Sequence, residues 1–129
     1  MPLVRITLSE SYELETTNHI SQAIHHALIQ EFNIPKDDYF HIIEKLPDTQ
    51  LQFPKEYLAI KHTTAIIFIQ IIAAVGRTVV QKQRLYKRIS ENIEASTGIN
   101  PQEIIISMIE NEKENWSFGN GELQAFNHI

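Results

Sequence analysis

A strand–helix–strand pattern occurs twice in this chain of 129 residues, and it restricts the chain to α/β architectures. The first occurrence comprises a short strand over residues 3–8, an amphipathic helix over residues 12–32 and a second strand over residues 39–44. Asn33 and Pro35 follow the last apolar position of the helix and predict where it ends.

The second occurrence begins with the most apolar segment of the chain, residues 65–75. Its isoleucines are typical of a strand buried on both faces, and it is shorter than the ~20 residues that a membrane span needs. Thr78 and Gln81 form a capping-box pair that predicts the start of a helix, and Gly98 predicts its end. A last strand is expected over residues 104–109.

The two occurrences align when the chain is shifted by 66 residues. This shift places Pro35 on Pro101 and Ile6 on Ile72, and it superposes the predicted helices. The agreement of prolines, strands and helices at one shift predicts a duplicated β-α-β unit.

The predicted fold class is therefore α/β (α+β), with a four-stranded mixed sheet and two helices on one of its faces. We expect a single domain over residues 1–129, with repeat halves over about residues 2–47 and 63–111 and a C-terminal arm over residues 112–129. The helix-free face of such an isoleucine-rich sheet has to be covered, and oligomerisation would cover it.

Composition excludes several classes of function. The net charge is −5 and no lysine or arginine block is present, so a nucleic-acid partner is not expected. The absence of cysteine excludes disulfides and thiol catalysis. His25 and His26 are adjacent on a helix and point about 100° apart, so they are not expected to share a metal, and neither a metal nor a cofactor is expected. Without a signal peptide or membrane span, the expected location is the cytoplasm, with no membrane partner.

Pro2 lies directly behind Met1, at the start of the first strand. Removal of the methionine by an aminopeptidase would leave a proline with a free secondary amine. An α-amino group has a pKa of ~7.7–8.0, and burial lowers it further because desolvation disfavours the charged form. Such an amine is suited to general base catalysis near neutral pH. The alternative interpretation is that Pro2 only breaks regular structure at the N-terminus.

Several short segments, taken in order, resemble the tautomerase superfamily, and most of all its malonate semialdehyde decarboxylase branch. They are Met1-Pro2, Ile34-Pro35-Lys36-Asp37-Asp38-Tyr39, Gly76-Arg77-Thr78 with Gln81-Lys82, Glu110-Asn111, and Asn115-Trp116-Ser117-Phe118-Gly119. The resemblance covers nearly the whole chain. It implies a β-α-β duplication assembled into homotrimers, without a cofactor.

The resemblance also implies roles for three residues. Pro2 would be the catalytic centre, which shuttles a proton in tautomerases and is charged in decarboxylases and hydratases. Arg77 would bind the substrate carboxylate, and its place just before a helix N-terminus is independently suited to an anion. Asp38 would orient or activate water, although Asp37 in the same turn is a competing candidate. Solvent-exposed surface roles are the alternative for Arg77 and for both aspartates.

The chain departs from the decarboxylase branch at Val75, where members of that branch carry a second arginine. This departure weakens the case for decarboxylation of malonate semialdehyde more than the case for tautomerisation. Trp116 and Phe118 are candidates for an apolar pocket wall that binds substrate and lowers the pKa of Pro2, with core or subunit packing as the alternative.

Three functional hypotheses follow. The first is a tautomerase that acts on a small 2-oxo or enol acid, with catalytic Pro2, Asp38 and Arg77 and with Arg77, Trp116 and Phe118 binding the substrate. The second is a hydratase or decarboxylase of a 3-oxo acid at the same site. The third is a non-catalytic trimeric binding protein, because a retained Met1 would convert the Pro2 nitrogen into an amide without basicity.

Overall fold

Six strands and two helices succeed one another along residues 1–124, the part of the chain that the computed structural model describes. The order is β1 (Leu3–Ser9), α1 (Leu14–Phe32), β2 (Phe40–Leu46), β3 (Glu56–Tyr57), β4 (Ile60–Lys61), β5 (Ile67–Ala74), α2 (Val79–Thr97) and β6 (Ile104–Asn111). The end of the predicted C-terminal arm, residues 125–129, lies outside the described residues.

Four strands form one mixed sheet in the order β2-β1-β5-β6, which confirms the predicted fold class. β1 is parallel to β2 and β5 is parallel to β6, while the two central strands, β1 and β5, are antiparallel. The short strands β3 and β4 form a separate hairpin in the connection between the two halves. Its turn residues Leu58 and Ala59 have φ of 52° and 63°, as a two-residue hairpin turn requires.

The core lies between the sheet and the two helices. Alternate residues of β1 and β5 face it, and both helices contribute one apolar stripe at helical spacing. The fully buried side chains of these elements are Val4, Ile6, Leu8, Ile20, Ile24, Ala27, Leu28, Ile67, Ile69, Ile71, Leu85, Ile89 and Ile93. Burial of each large aliphatic side chain contributes about 1.5–3 kcal/mol, and this drives both helices onto the same face.

The opposite, helix-free face of the sheet carries exposed apolar side chains. Phe40 and Ile42 of β2 and Ile109 of β6 are 48%, 37% and 48% exposed. The central position of this face is polar, because Arg5 pairs with Gln70.

The two repeats are related by a shift of 65 residues, so the predicted shift of 66 is wrong by one. α1 and α2 both span 19 residues and begin at Leu14 and Val79. Their left-handed caps, Asn33 with φ 55° and Gly98 with φ 77°, lie the same distance apart. A shift of 66 would place the core-facing residues of one repeat on residues of the other repeat that face away from the core. For example, it aligns buried Ile6 with Ile72, which lies on the helix-free face, whereas a shift of 65 aligns Ile6 with buried Ile71.

The turns that precede β2 and β6 are equivalent under this shift. In one, the amide of Asp38 donates to the Pro35 carbonyl at 3.0 Å; in the other, the amide of Glu103 donates to the Asn100 carbonyl at 3.0 Å. The prolines that suggested the shift of 66 occupy successive positions of this turn, which explains the error. Asp38 and Glu103 are therefore counterparts.

The predicted capping box at the start of α2 is confirmed. The Thr78 hydroxyl accepts a hydrogen bond from the Gln81 amide at 3.1 Å, and the Gln81 side chain accepts one from the Thr78 amide at 2.9 Å. The box fixes the first turn of α2 directly after Arg77. No helix among residues 1–124 is both long and apolar enough to cross a membrane.

Candidate active site

The sheet topology gathers four strand ends at one edge, which we call the amino-terminal edge and define by Pro2, Asp38, Arg77 and Asn111. β1 and β2 begin there, because Leu3 pairs with Phe40. β5 and β6 end there, because Ala74 pairs with Asn111. The residues predicted to be functional precede or follow these strand ends, so the fold brings them to one region.

The α-amino group of Met1 forms an ion pair with the Asp38 carboxylate, with a distance of 2.7 Å between the nitrogen and Oδ2. Pro2 is buried behind Met1. Of the two competing aspartates, Asp38 contacts the amino terminus, whereas Asp37 lines the same cleft.

A cleft of about 410 Å³ opens at this ion pair. Its walls combine the chain terminus, the turn before β2 and two aromatic rings. The lining residues are Met1, Pro35, Asp37, Asp38, Phe40 and Phe118. Its volume lies within the range of small-molecule sites, and it joins one charged pair to an otherwise largely apolar wall.

Phe118 lies between two other aromatic rings. Its ring stacks on Trp116 at a centroid distance of 5.3 Å and on Phe40 at 5.7 Å. The indole Nε1 of Trp116 donates to Asn111 Oδ1 at 2.8 Å, which ties the stack to the end of β6. Of the two aromatic residues predicted to bind substrate, Phe118 lines the cleft and Trp116 supports it from behind.

Arg77 lies at the same edge but is not a lining residue of this cleft. Its guanidinium lies 4.8 Å from the centroid of the Phe32 ring, and Nη1 donates to the Ala74 carbonyl at 3.2 Å. Val75, the position predicted to depart from the decarboxylase branch, is 46% exposed and lines a separate cleft of about 490 Å³.

A cluster of polar side chains lies between α1 and β2, beside the turn that carries Asp38; we call it the histidine cluster and define it as Ser21, His25, Tyr39 and His41. His25 Nε2 lies 2.7 Å from the Lys36 carbonyl, and His41 Nδ1 lies 2.8 Å from the Ser21 hydroxyl. Burial, and secondarily the charge of His25, lower the pKa of His41 to about 4. His41 follows the Asp38 turn closely in the sequence, but no sequence signal indicates its contacts with Ser21 and His25.

Comparison with known proteins identifies the class. A family model described as "Tautomerase enzyme" matches residues 38–119, and the chain belongs to this family of enzymes. It is 33% identical to the probable tautomerase YusQ of Bacillus subtilis (strain 168) over 124 residues, which cover 96% of this chain and 98% of that protein. It is 27% identical to the probable tautomerase YrdN of the same organism, with coverage of 96% and 95%. These matches confirm the family predicted from the sequence.

Solved structures place the fold in the same group. A crystal structure of FG41 malonate semialdehyde decarboxylase inhibited by 3-bromopropiolate superposes with a TM-score of 0.91, at 28% identity, over 98% of this chain and 95% of that chain. Native fused 4-OT superposes with a TM-score of 0.79 over 96% and 98%; at 16% identity this likeness concerns the fold alone.

Proposed function

We propose that this enzyme tautomerises a small 2-oxo or enol acid, with Pro2 as its amino-terminal acid and base once Met1 has been removed. The observation that carries the proposal is that buried Pro2 adjoins Met1, whose α-amino group contacts the Asp38 carboxylate at 2.7 Å in a cleft of about 410 Å³. Tautomerisation moves one proton between carbon and oxygen. A single amine that takes and returns this proton is sufficient, provided that the acid is held in place.

Arg77 is the proposed ligand of the substrate carboxylate. Its only hydrogen bond within residues 1–124 uses Nη1, so other guanidinium N–H groups remain for a planar fork on a carboxylate. The repeat offers a second argument: Tyr12 is the counterpart of Arg77, as Glu103 is of Asp38. The charge of Glu103 contributes to the raised pKa of Tyr12. Tyr12 and Glu103 therefore lie within electrostatic reach of each other. Because the repeats are equivalent, we expect the same of Arg77 and Asp38.

Hydration or decarboxylation of a 3-oxo acid, such as malonate semialdehyde, is the second candidate. In this chemistry a charged Pro2 amine would polarise a substrate carbonyl while Asp38, which contacts the α-amino group of Met1, activates water. The similarity to FG41 malonate semialdehyde decarboxylase supports the same candidate. Val75 argues against it, because it supplies no second cation.

We also propose that the chain assembles as a homotrimer through the helix-free face of its sheet. Exposed Phe40, Ile42 and Ile109 on that face support this proposal. Fused 4-OT structures with this fold include an asymmetric and a symmetric trimer. Sedimentation equilibrium tests it: a trimeric mass is expected, and a monomeric mass at micromolar concentration would contradict it.

A pH–rate profile of the processed enzyme separates the two chemistries. Phenylenolpyruvate, 2-hydroxymuconate and malonate semialdehyde are suitable substrates. If Pro2 acts as a base, kcat/KM rises with pH through the pKa of its amine; if it acts as an acid, kcat/KM falls instead. Pro2→Ala keeps a free amine but changes its basicity and geometry, so activity should decrease sharply. A processed Pro2→Ala protein as active as the parent on all three substrates would refute both chemistries.

A further inference from the structure

We propose that His25 is a positioning residue for Asp38, because it holds the turn on which this carboxylate is carried. The proposal rests on the proposed function of Asp38. It concerns a helix residue that does not line the cleft and that acts only through the backbone of the turn.

The contacts form one continuous path from the helix to the chain terminus. His25 in α1 donates from Nε2 to the Lys36 carbonyl at 2.7 Å, since a carbonyl only accepts. Lys36 is an inner residue of the turn that closes when the Asp38 amide donates to the Pro35 carbonyl. The Asp38 carboxylate then reaches the α-amino group of Met1, the residue next to Pro2, at 2.7 Å. A displacement of Lys36 would therefore shift Asp38 relative to the start of the chain, where the proposed reacting amine of Pro2 lies.

The imidazole of His25 is held in place by its neighbours. The ring of Tyr39 lies 4.9 Å away and that of His41 lies 6.1 Å away, edge-on. Buried Nδ1 of His25 and buried Nε2 of His41 have no hydrogen-bond partner among residues 1–124. Unpartnered buried polar atoms are destabilising, so stability would favour apolar residues at both positions. The cluster is therefore better explained by the turn it supports than by core stability.

The second repeat provides a comparison within the same chain. There the counterparts of the histidine cluster are a tyrosine, a serine and two isoleucines: Tyr86, Ser90, Ile104 and Ile106. The equivalent turn is fixed by its own residues instead, because Asn100 Oδ1 accepts from the Gln102 amide at 3.0 Å. A histidine of the helix thus holds the turn only in the first repeat, where the turn carries Asp38 and this carboxylate lines a cleft. The second repeat has Ser90 at the equivalent position.

Replacement of His25 tests the proposal. His25→Gln retains an N–H donor at nearly the same reach, whereas His25→Met keeps the bulk without the donor. We expect His25→Met to lower kcat about tenfold with little change in KM, since small misplacements of a reacting group are costly. His25→Gln should restore most of the activity. Exposed His26, mutated to Met, is the matched control and should leave kcat unchanged.

The same replacement in an Asp38→Asn background separates positioning from general structural damage. If His25 acts through Asp38, His25→Met causes little further loss in that background. An equal loss in both backgrounds, or a Gln variant as impaired as the Met variant, overturns the proposal. His25→Asn, whose amide is too short to reach Lys36, replaces the Met variant if that protein does not fold. If Asp38→Asn alone leaves kcat unchanged, the proposed role of Asp38 fails, and that of His25 fails with it.

Discussion

Asp38 and Glu103 occupy equivalent turns in the two repeats, but their surroundings differ. Asp38 lines an open cleft, and its carboxylate contacts the α-amino group of the chain. Glu103 is only 4% exposed, and its carboxylate accepts hydrogen bonds from both the amide and the hydroxyl of Thr63. At equivalent positions of the two repeats, the Asp38 carboxylate is therefore accessible to a small molecule, whereas the Glu103 carboxylate is buried and hydrogen-bonded to Thr63.

Arg77 and Tyr12 extend this comparison to the residues that follow β5 and β1. Tyr12 donates its hydroxyl to the Ala65 carbonyl at 2.6 Å, and burial followed by the charge of Glu103 raises its pKa to about 12. Arg77 is partly exposed, and within residues 1–124 its guanidinium donates one hydrogen bond, from Nη1 to the Ala74 carbonyl. The edge with Tyr12 and Glu103 therefore fixes the connection to β5, and the amino-terminal edge keeps charged groups available. One duplicated unit thus provides a structural arrangement at one edge and the proposed site at the other.

Asp38→Asn should have the largest effect. The variant loses the charge that pairs with the amino terminus and the group proposed to assist proton transfer. We expect kcat/KM to fall about 10²–10⁴-fold, as for loss of a general acid or base, with a small change in the free energy of unfolding. Steady-state kinetics and urea unfolding measure the two quantities. If the kinetics of Asp38→Asn were nearly unchanged, the proposed functional role that distinguishes Asp38 from Glu103 would be refuted.

Glu103→Ala should show the opposite behaviour. It leaves the Thr63 amide and hydroxyl without their acceptor in a buried position, and hydrogen bonds to charged groups contribute about 1.5–3 kcal/mol each. We expect the free energy of unfolding to decrease by about 3 kcal/mol while the folded protein retains its kcat. Urea unfolding, with Glu103→Gln as a milder control, tests this. A loss of activity without a loss of stability would contradict a structural role.

Arg77→Ala should impair substrate binding. Loss of a charge-assisted pair with the carboxylate is expected to reduce kcat/KM by about 10–100-fold, mainly through KM. Arg77→Lys retains the charge without the planar fork and should be intermediate. Kinetics with an acid and with its neutral amide or ester analogue test the assignment. An equal loss for both substrates would show that Arg77 does not recognise the carboxylate.

His41 should produce the smallest effect near neutral pH, because its contribution is a dependence of stability on pH under acidic conditions. The unfolded chain binds a proton at the ordinary pKa of 6.5, whereas the folded protein does so only at about 4. Stability from this group is therefore complete above about pH 6.5 and decreases as the pH falls towards about 4. His41→Ile introduces the residue of the second repeat, Ile106, and should flatten this part of the curve. Parallel curves for both proteins would contradict the assignment.

The sequence predicted most of the architecture because its signals are local. The capping box of Thr78 and Gln81 and the helix end at Gly98 depend on neighbouring residues alone, and both are confirmed. The shift between repeats was wrong by one residue, because a proline fits two successive positions of the same turn. The correct shift of 65 follows only from the strand residues that face the core, and these depend on tertiary packing.

The site was less accessible to sequence reasoning. The turn of Asp38 was identified, but its contact with the amino terminus depends on how β1 and β2 pair. The histidine cluster joins His25 to His41 through helix–sheet packing, and no sequence motif marks that spacing. The position of Arg77 against Phe32 is likewise a tertiary contact.

The most direct test compares the activity of the protein with and without Met1, each form verified by intact mass spectrometry. Removal of Met1 converts the Pro2 nitrogen from an amide into a secondary amine and changes nothing else in the sequence. The account predicts that the form lacking Met1 is at least about 10²-fold more active in kcat/KM, since a positioned acid or base contributes this much. Equal activity of the two forms, or activity confined to the form that retains Met1, would contradict it.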